Sequence, residues 1–485
     1  MASVNHHFNV VFTAKHTVKA SHASVPPNYT LPLSNLDLLA GRSSVAIFCV
    51  YQKPKFRDFS SLVAAILDSL AETLNHYFPL AGRLVTNPNT DEPEILCNNE
   101  GVEVAEAHAH IDLGSLDFYD LTNSLQQNLV PTLQEMPLRI QVTSFNCGGF
   151  SIAWSIDHAL ADATSFVMFL ASWSEIVQTK ALSMPPDHRR SIIRPRSPLK
   201  FSPLIDSTFI KFTIEDVVNM VAMTGYDISL KRMFFIQGSH LNRLQQQASK
   251  GGRRATKIEA LSAYIWKILA ESIKESDCIR SCKMGWLVEG RRWMVSHNVT
   301  NLFGNLLSMA VGEADIQELK QANMSRIASI AHDAIAEASS DEHFTDLIDW
   351  VEFNRPGMFL AKILAGFEGP AIVISSALGL PVKQMDFGFG SPVFGTQYTT
   401  IARLGAGYLG TQPTGLGDGS WLVFTILWPE LVKALETDPN HVFKPIDKVS
   451  IEETMGIKFA SSESEKMKGK VVVGDGSVEK RKPRL

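Results

Sequence analysis

Phe150-Ser151-Ile152-Ala153-Trp154-Ser155-Ile156-Asp157-His158-Ala159-Leu160-Ala161-Asp162-Ala163 is the stretch on which the fold is decided. Residues 149–156 are apolar and β-branched, as in a buried strand, and 138–145 have the same character. Asn146-Cys147-Gly148 between them predicts a hairpin. Residues 163–177 read as a buried helix. The six residues 157–162 are therefore a strand-to-helix turn, a place where catalytic side chains gather. His158 is followed by Ala159, Ala161 and Ala163, small neighbours that let a substrate approach an imidazole. Histidine titrates near neutrality, which suits proton abstraction. On these residues alone, a general base and a satisfied structural histidine are equally good readings. His108 and Asp112 repeat the His158–Asp162 spacing without the strand–turn–helix setting, so spacing by itself carries little.

Outward from the turn, residues 8–13 alternate like a strand and Val45 to Tyr51 form a continuous apolar one. Leu36-Asp37-Leu38-Leu39 leads into a loop before that strand. Residues 60–76 carry apolar positions at helical spacing, with Asp58 or Ser60 as N-cap. Residues 83–85 and 94–97 are strands around a turn at Asn87-Pro88-Asn89. Residues 185–203 are rich in Pro, Ser and Arg and lack periodicity, as in a crossover between domains. Beyond them, 257–273 is a helix, 284–288 a strand, 316–338 a long helix, 371–375 and 421–427 core strands, and 431–436 the start of a late helix.

With 485 residues, the chain exceeds what one core supports, so two domains are expected. The composition is that of a globular enzyme, and a net charge of -5 gives no reason to expect nucleic acid or an anionic membrane as partner. Five scattered cysteines make a poor disulfide framework, and no residue cluster makes a metal site. Neither a signal peptide nor a membrane-spanning run is visible, so a cytoplasmic, reducing setting is expected. Residues 461–485, rich in Ser, Glu, Lys and Gly, read as a flexible tail.

His158-Ala159-Leu160-Ala161-Asp162 resembles the HxxxD motif of the plant BAHD acyltransferases, and Asp386-Phe387-Gly388-Phe389-Gly390 resembles that family's DFGWG. Together and in this order the two are specific. Leu33-Ser34-Asn35-Leu36-Asp37 is similar to LSxLD, and Tyr77 to Leu84 to YPLAGRL. Residues 259–266 resemble the helix on the CoA side. Glu289-Gly290-Arg291 and Phe303-Gly304-Asn305 resemble DGR and FGN. The likeness covers 5–460. Departures are Asp157 where a second His is common, Ala163 for Gly, Phe389 for Trp and Glu289 for Asp. Asp157, if close, raises the pKa of His158.

The resemblance implies an α/β fold of two similar-sized, chloramphenicol-acetyltransferase-like domains, each a mixed sheet with flanking helices, and an active-site tunnel between them. The expected organisation is 1–185 (first domain), 186–215 (crossover), 216–460 (second domain, with part of 380–410 packing on the first) and 461–485 (tail). It implies an acyl-CoA-dependent transferase without a permanent cofactor or metal, acting as a monomer on a small-molecule alcohol or amine. His158 would be the general base and later protonate the CoA thiolate, with no covalent enzyme intermediate. Ser375 stands where the family can supply an oxyanion donor, though a strand-end serine bonding its own backbone fits equally. Asp162 is expected to pair with Arg291, with Arg292 competing. Asp386, Gly388 and Gly390 are expected to be architectural. Lys257, Arg253 and Arg254 form a basic cluster suited to CoA phosphates.

Segments 31–39 and 92–106 resemble the coniferyl-alcohol acyltransferase-like branch, and Ala377 replaces the Trp of shikimate and quinate transferases. An apolar or aromatic alcohol as acceptor, with acetyl-CoA or an aromatic acyl-CoA as donor, follows. Two alternatives stay open: a condensation-type domain fed by a carrier protein, and a non-catalytic binding or scaffold relative.

Overall fold

The computed structural model describes residues 8–452, apart from 23–24, 27–28, 56–57, 126–127, 134, 214, 217–228, 251, 275–278, 367–368, 378–383, 400–404 and 449–450. The expected tail at 461–485 lies outside the described residues.

The first part of the chain forms β1 (Val10–Val18), β2 (Thr30–Pro32), β3 (Ser44–Tyr51), β4 (Arg83–Thr86), β5 (Pro93–Leu96), β6 (Val102–Ala109), β7 (Leu138–Phe145) and β8 (Phe150–Asp157). Its helices include α1 (Asn35–Ala40), α2 (Phe59–Thr73), α3 (Leu121–Ser124) and α4 (Ala163–Thr179). Beyond these come β9 (Phe209–Phe212), β10 (Leu230–Ile236), β11 (Ser281–Glu289), β12 (Leu307–Asp315), β13 (Met358–Ala361), β14 (Ala371–Ser376), β15 (Phe394–Thr399), β16 (Gly407–Pro413), β17 (Trp421–Leu427) and β18 (Lys444–Pro445). Two mixed sheets dominate. One has the order β1-β6-β7-β8-β3-β15, the other β12-β11-β14-β16-β17-β10-β18. The first thus takes its last strand, β15, from late in the chain, paired antiparallel to β3 through Gln397 opposite Ile47.

Local chemistry explains the elements. β8 is buried along its whole length, so it needs no polar alternation. Asp162 caps α4, its side chain accepting from the Ser165 amide at 2.8 Å. Asp58 caps α2, and Thr256 with Glu259 makes a capping box for the helix Lys257–Ser272. Residues 36–39, which the sequence leaves without an element, lie in α1, started by a Ser34–Asp37 capping box and too short to show helical periodicity. One sequence expectation is corrected. The long helix expected at 316–338 is two helices, Ile316–Gln321 and Met324–Glu337, because Asn323 is extended and caps the second.

An apolar cluster built on Phe48, Val50, Ala153, Tyr398, Phe424 and Ile426 fills the space between the sheets. A larger one joins α2, α4, the other face of β3 and β8, and the second sheet's helices. At roughly 25 cal/mol per Å² of apolar surface, this burial is the main driving force that holds the halves together. Among the described residues, no helix is long and apolar enough to cross a membrane, and no group of His, Cys, Asp and Glu is placed to hold a metal.

Candidate active site

His158 follows β8 directly, at the start of the turn into α4. Its backbone is pinned on both sides. The amide donates to the Ser43 carbonyl at 2.8 Å, and the carbonyl accepts from Asn305 Nδ2 at 2.8 Å. Nδ1 of the ring is buried and has no hydrogen-bond partner among the described residues, while the residue as a whole keeps some exposure. Asp157 turns away from the imidazole. Its carboxylate accepts from Arg42 Nε at 3.0 Å and from the Ala159 amide at 3.0 Å, so its charge is already engaged by a cation and a backbone donor.

Asp162 also serves the backbone. Besides capping α4, it accepts from the Leu306 amide at 2.9 Å and from Arg291 at 2.8 Å. Arg291, and not the exposed Arg292, is its partner. Arg291 reaches further, to Glu289 at 2.6 Å, Ser165 Oγ at 2.8 Å and the carbonyls of Leu302 and Gly304. Burial works against the Arg291 charge, yet the Asp162 and Glu289 carboxylates raise its pKa above the ordinary arginine range.

A second buried knot lies beside the first and was not visible in the sequence. Asp37, fully buried, accepts from Arg190 Nε at 2.7 Å, from the Asn305 amide at 2.8 Å and from Asn305 Nδ2 at 2.9 Å. Arg190 comes from the crossover and also bonds the carbonyls of Phe303 and Leu160. Gly304 is required here, because a Cβ would sit 3.0 Å from the Arg190 guanidinium carbon. A chain of contacts therefore runs from α1 through Asp37 and Asn305 to the carbonyl of His158. The sequence marks Asp37 and Asn305 only as parts of separate motifs, and Arg190 not at all; their meeting is seen only in three dimensions.

The 386–390 motif packs on the first sheet. Asp386 Oδ1 accepts from the Gly388 and Gly390 amides, both at 2.9 Å, and both glycines hold positive φ, 89° and 99°. Phe387 stacks near Trp173 and Trp154, and Phe389 meets Tyr51 and Phe150 edge-on. Ser174 of α4 reaches the carbonyls of Gln384 and Asp386 at 2.7 and 2.8 Å. A cavity of about 550 Å³ lined by Asp68, Glu72, Val177, Lys180, Phe387 and Gly388 lies at this end of α4. At 1.5 Å per residue it is about 20 Å from the His158 turn.

Ser375 ends β14. Its side chain hydrogen-bonds with the Tyr408 hydroxyl; burial pushes the Tyr408 phenol pKa up and this bond offsets it in part, leaving it raised. Of the basic cluster, Arg253 is engaged with Glu259 at 2.9 Å and the Ala328 carbonyl. Arg254 is exposed, and Lys257 opens its helix with Nζ close to Gly419.

Compared with known proteins, residues 8–442 match the family described as "Transferase family". The chain is 28% identical over 378 residues to an omega-hydroxypalmitate O-feruloyl transferase of Arabidopsis thaliana, covering 74% of this chain and 78% of the relative. It is 28% identical over 400 residues to a fatty alcohol:caffeoyl-CoA acyltransferase of the same plant, covering 80% and 88%. Among solved structures, vinorine synthase superposes with a TM-score of 0.68 at 17% identity, over 91% of this chain and all of that one, a likeness of fold.

Proposed function

Because the chain belongs to the Transferase family, the BAHD acyltransferases, we propose that it moves an acyl group from a coenzyme A thioester to the hydroxyl of a small apolar or aromatic molecule, with His158 as general base. The observation that carries this reading is the anchoring of the turn. The backbone of His158 is held by Ser43 and Asn305 while its ring is bound by no described side chain. A histidine kept for structure has its ring engaged; here only the backbone is.

With Nδ1 sealed, Nε2 is the nitrogen that faces an acceptor. It takes the acceptor proton as the oxygen attacks the thioester carbonyl, and the same proton then goes to the departing thiolate. The acyl group passes directly through one tetrahedral intermediate. Ser375 offers a hydroxyl to the oxyanion. In the resting protein that hydroxyl meets the Tyr408 phenol oxygen, whose pKa the bond lowers as a donated serine proton would, and on substrate binding it turns to the oxyanion. Lys257 and Arg254 are the groups proposed for the CoA phosphates, since Arg253 already serves Glu259. The two relatives, an omega-hydroxypalmitate O-feruloyl transferase and a fatty alcohol:caffeoyl-CoA acyltransferase, favour an aromatic acyl group and an apolar alcohol. The reaction is proposed for a monomer in the reducing cytosol.

The test is free-thiol release from feruloyl-CoA with pooled alcohols and amines, products being read by mass spectrometry. Wild type releases thiol and forms an ester; His158→Ala does so at least about 10²-fold more slowly. Equal release by the two proteins, or transfer from a carrier-bound thioester but not from free feruloyl-CoA, overturns the reading.

A further inference from the structure

We infer that Gln397 is a second hydrogen-bond donor to the acyl carbonyl oxygen, acting beside Ser375; this rests on the acyltransferase reading above.

The inference starts from a glycine. Gly410 on β16 pairs in register with Ser375 on β14, so whatever lies over Gly410 is a direct neighbour of the Ser375 side chain. What lies there is the amide of Gln397. A Cβ at position 410 would fall 1.8 Å from Gln397 Nε2 and 2.6 Å from its Cδ. Only glycine leaves room for it. Tyr408, two residues along the same strand, shares that face and bonds Ser375. Three polar groups thus converge on one patch: the Tyr408 hydroxyl, the Ser375 hydroxyl and the Gln397 amide.

The amide is also unemployed. Gln397 Nε2 is buried and has no hydrogen-bond partner among the described residues. A buried N–H without an acceptor is a penalty with no return in the resting protein. Its backbone is nonetheless fixed, the amide nitrogen donating to Gln412 Oε1 at 3.1 Å. A donor that is held in place, desolvated and unpaired is organised for an acceptor that arrives with the substrate.

Position agrees with this. Gln397 sits on β15, in the sheet that also carries His158, opposite Ile47, which in turn faces Trp154 on β8. Its side chain leaves that sheet and rests on the strand next to Ser375. It therefore reaches from the half of the molecule bearing the base to the half bearing the hydroxyl donor. As the carbonyl becomes tetrahedral, its oxygen gains charge, and a second N–H strengthens with it. The acyl transfer itself is unchanged in its bonds and protons.

Gln397→Met keeps length and volume but removes the donor. With feruloyl-CoA and the best alcohol from the panel, kcat is expected to fall about 10²–10³-fold with KM for feruloyl-CoA little changed. The melting temperature holds or rises, because an unpaired polar group has been removed. A readout that needs no acceptor is the infrared carbonyl stretch of feruloyl-CoA labelled with ¹³C at the thioester. Binding to wild type lowers it, and Gln397→Met returns part of the shift. Gly410→Ala, which displaces the amide while leaving Gln397 in place, moves both readouts the same way. A kcat within twofold of wild type, a carbonyl stretch that Gln397→Met leaves unchanged, or a lowered kcat accompanied by a lowered melting temperature overturns the inference. If instead His158→Ala matches wild type, the general-base reading fails, while the carbonyl stretch still decides Gln397.

Discussion

Asp162 and Arg291, 129 residues apart in sequence, meet at 2.8 Å with their side chains 0% and 7% exposed. The carboxylate closes three constraints at once: the α4 cap, the Leu306 amide and the guanidinium. Removing one partner leaves a buried charge unpaired. Asp162→Ala or Arg291→Ala is expected to cost about 3–5 kcal/mol, measured by urea denaturation. Asp162→Asn with Arg291→Met, which removes both charges, is expected to cost less than either single change. A double variant as unstable as the sum of the singles contradicts a coupled pair.

His343 predicts how stability depends on pH. Burial pushes its pKa down to about 4, with Asp346 pulling weakly the other way, and its Nε2 lies 2.6 Å from Ser308 Oγ. Unfolded, it titrates near the ordinary histidine value of 6.5. The folded pKa is the lower one, so the unfolded chain binds a proton first as pH falls. Its contribution is complete above pH 6.5, declines through the interval down to about 4, and is gone below that. The loss by pH 5 is about 2 kcal/mol. His343→Gln, which cannot charge, is expected to flatten the fall of the urea midpoint between pH 7.5 and 5. An unchanged slope refutes this.

How much of this was legible in the sequence depends on the distance over which each residue acts. The hairpin, turn and helix from 138 to 179 are local, and apolar β-branched runs, the Asn146-Cys147-Gly148 turn and the small residues after His158 suffice to read them. The Asp386 turn was readable for the same reason, since a carboxylate and two glycines within five residues define it. Asp37, Arg190 and Asn305 were not readable as a unit, because their contacts span 153 and 268 residues. The engagement of Asp157 by Arg42 was hidden likewise; sequence shows the neighbour of His158 but not the direction in which it turns. Gln397 gave no signal, because its neighbour Gly410 matters only once β15 and β16 are brought together.

Cys49, Cys97 and Cys282 are expected to be inert. Burial pushes the thiols of Cys97 and Cys282 up to about 12, and that of Cys49 higher still. The thiolate is the reactive species, so at pH 8 only about one in 10⁴ is available. Iodoacetamide applied to the folded protein at pH 8 is expected to leave all three unmodified by peptide mass spectrometry, and to label them in urea. Rapid labelling of Cys49 in the folded state would contradict its burial.

Gln412 is expected to be the residue that lets β15 end a sheet inside the molecule. An edge strand presents backbone groups that need partners, and β15 presents them to the face of another sheet instead of to water. The side chain of Gln412, 1% exposed, answers as a strand would: Oε1 accepts from the Gln397 amide, and Nε2 donates to the Gly395 carbonyl. Gln412→Leu fills the same space but leaves one donor and one acceptor unmet, at an expected cost of about 2–4 kcal/mol in urea denaturation. Gln412→Glu keeps the acceptor but sets a carboxylate oxygen against the Gly395 carbonyl, and is expected to be no more stable than Gln412→Leu. Because the Gln397 backbone is held by this bond, Gln412→Leu should also lower kcat for transfer from feruloyl-CoA even at temperatures where the protein remains folded. A Gln412→Leu protein with wild-type stability would mean that water reaches the β15 edge, and the closed packing of the two sheets described here would be wrong at that seam.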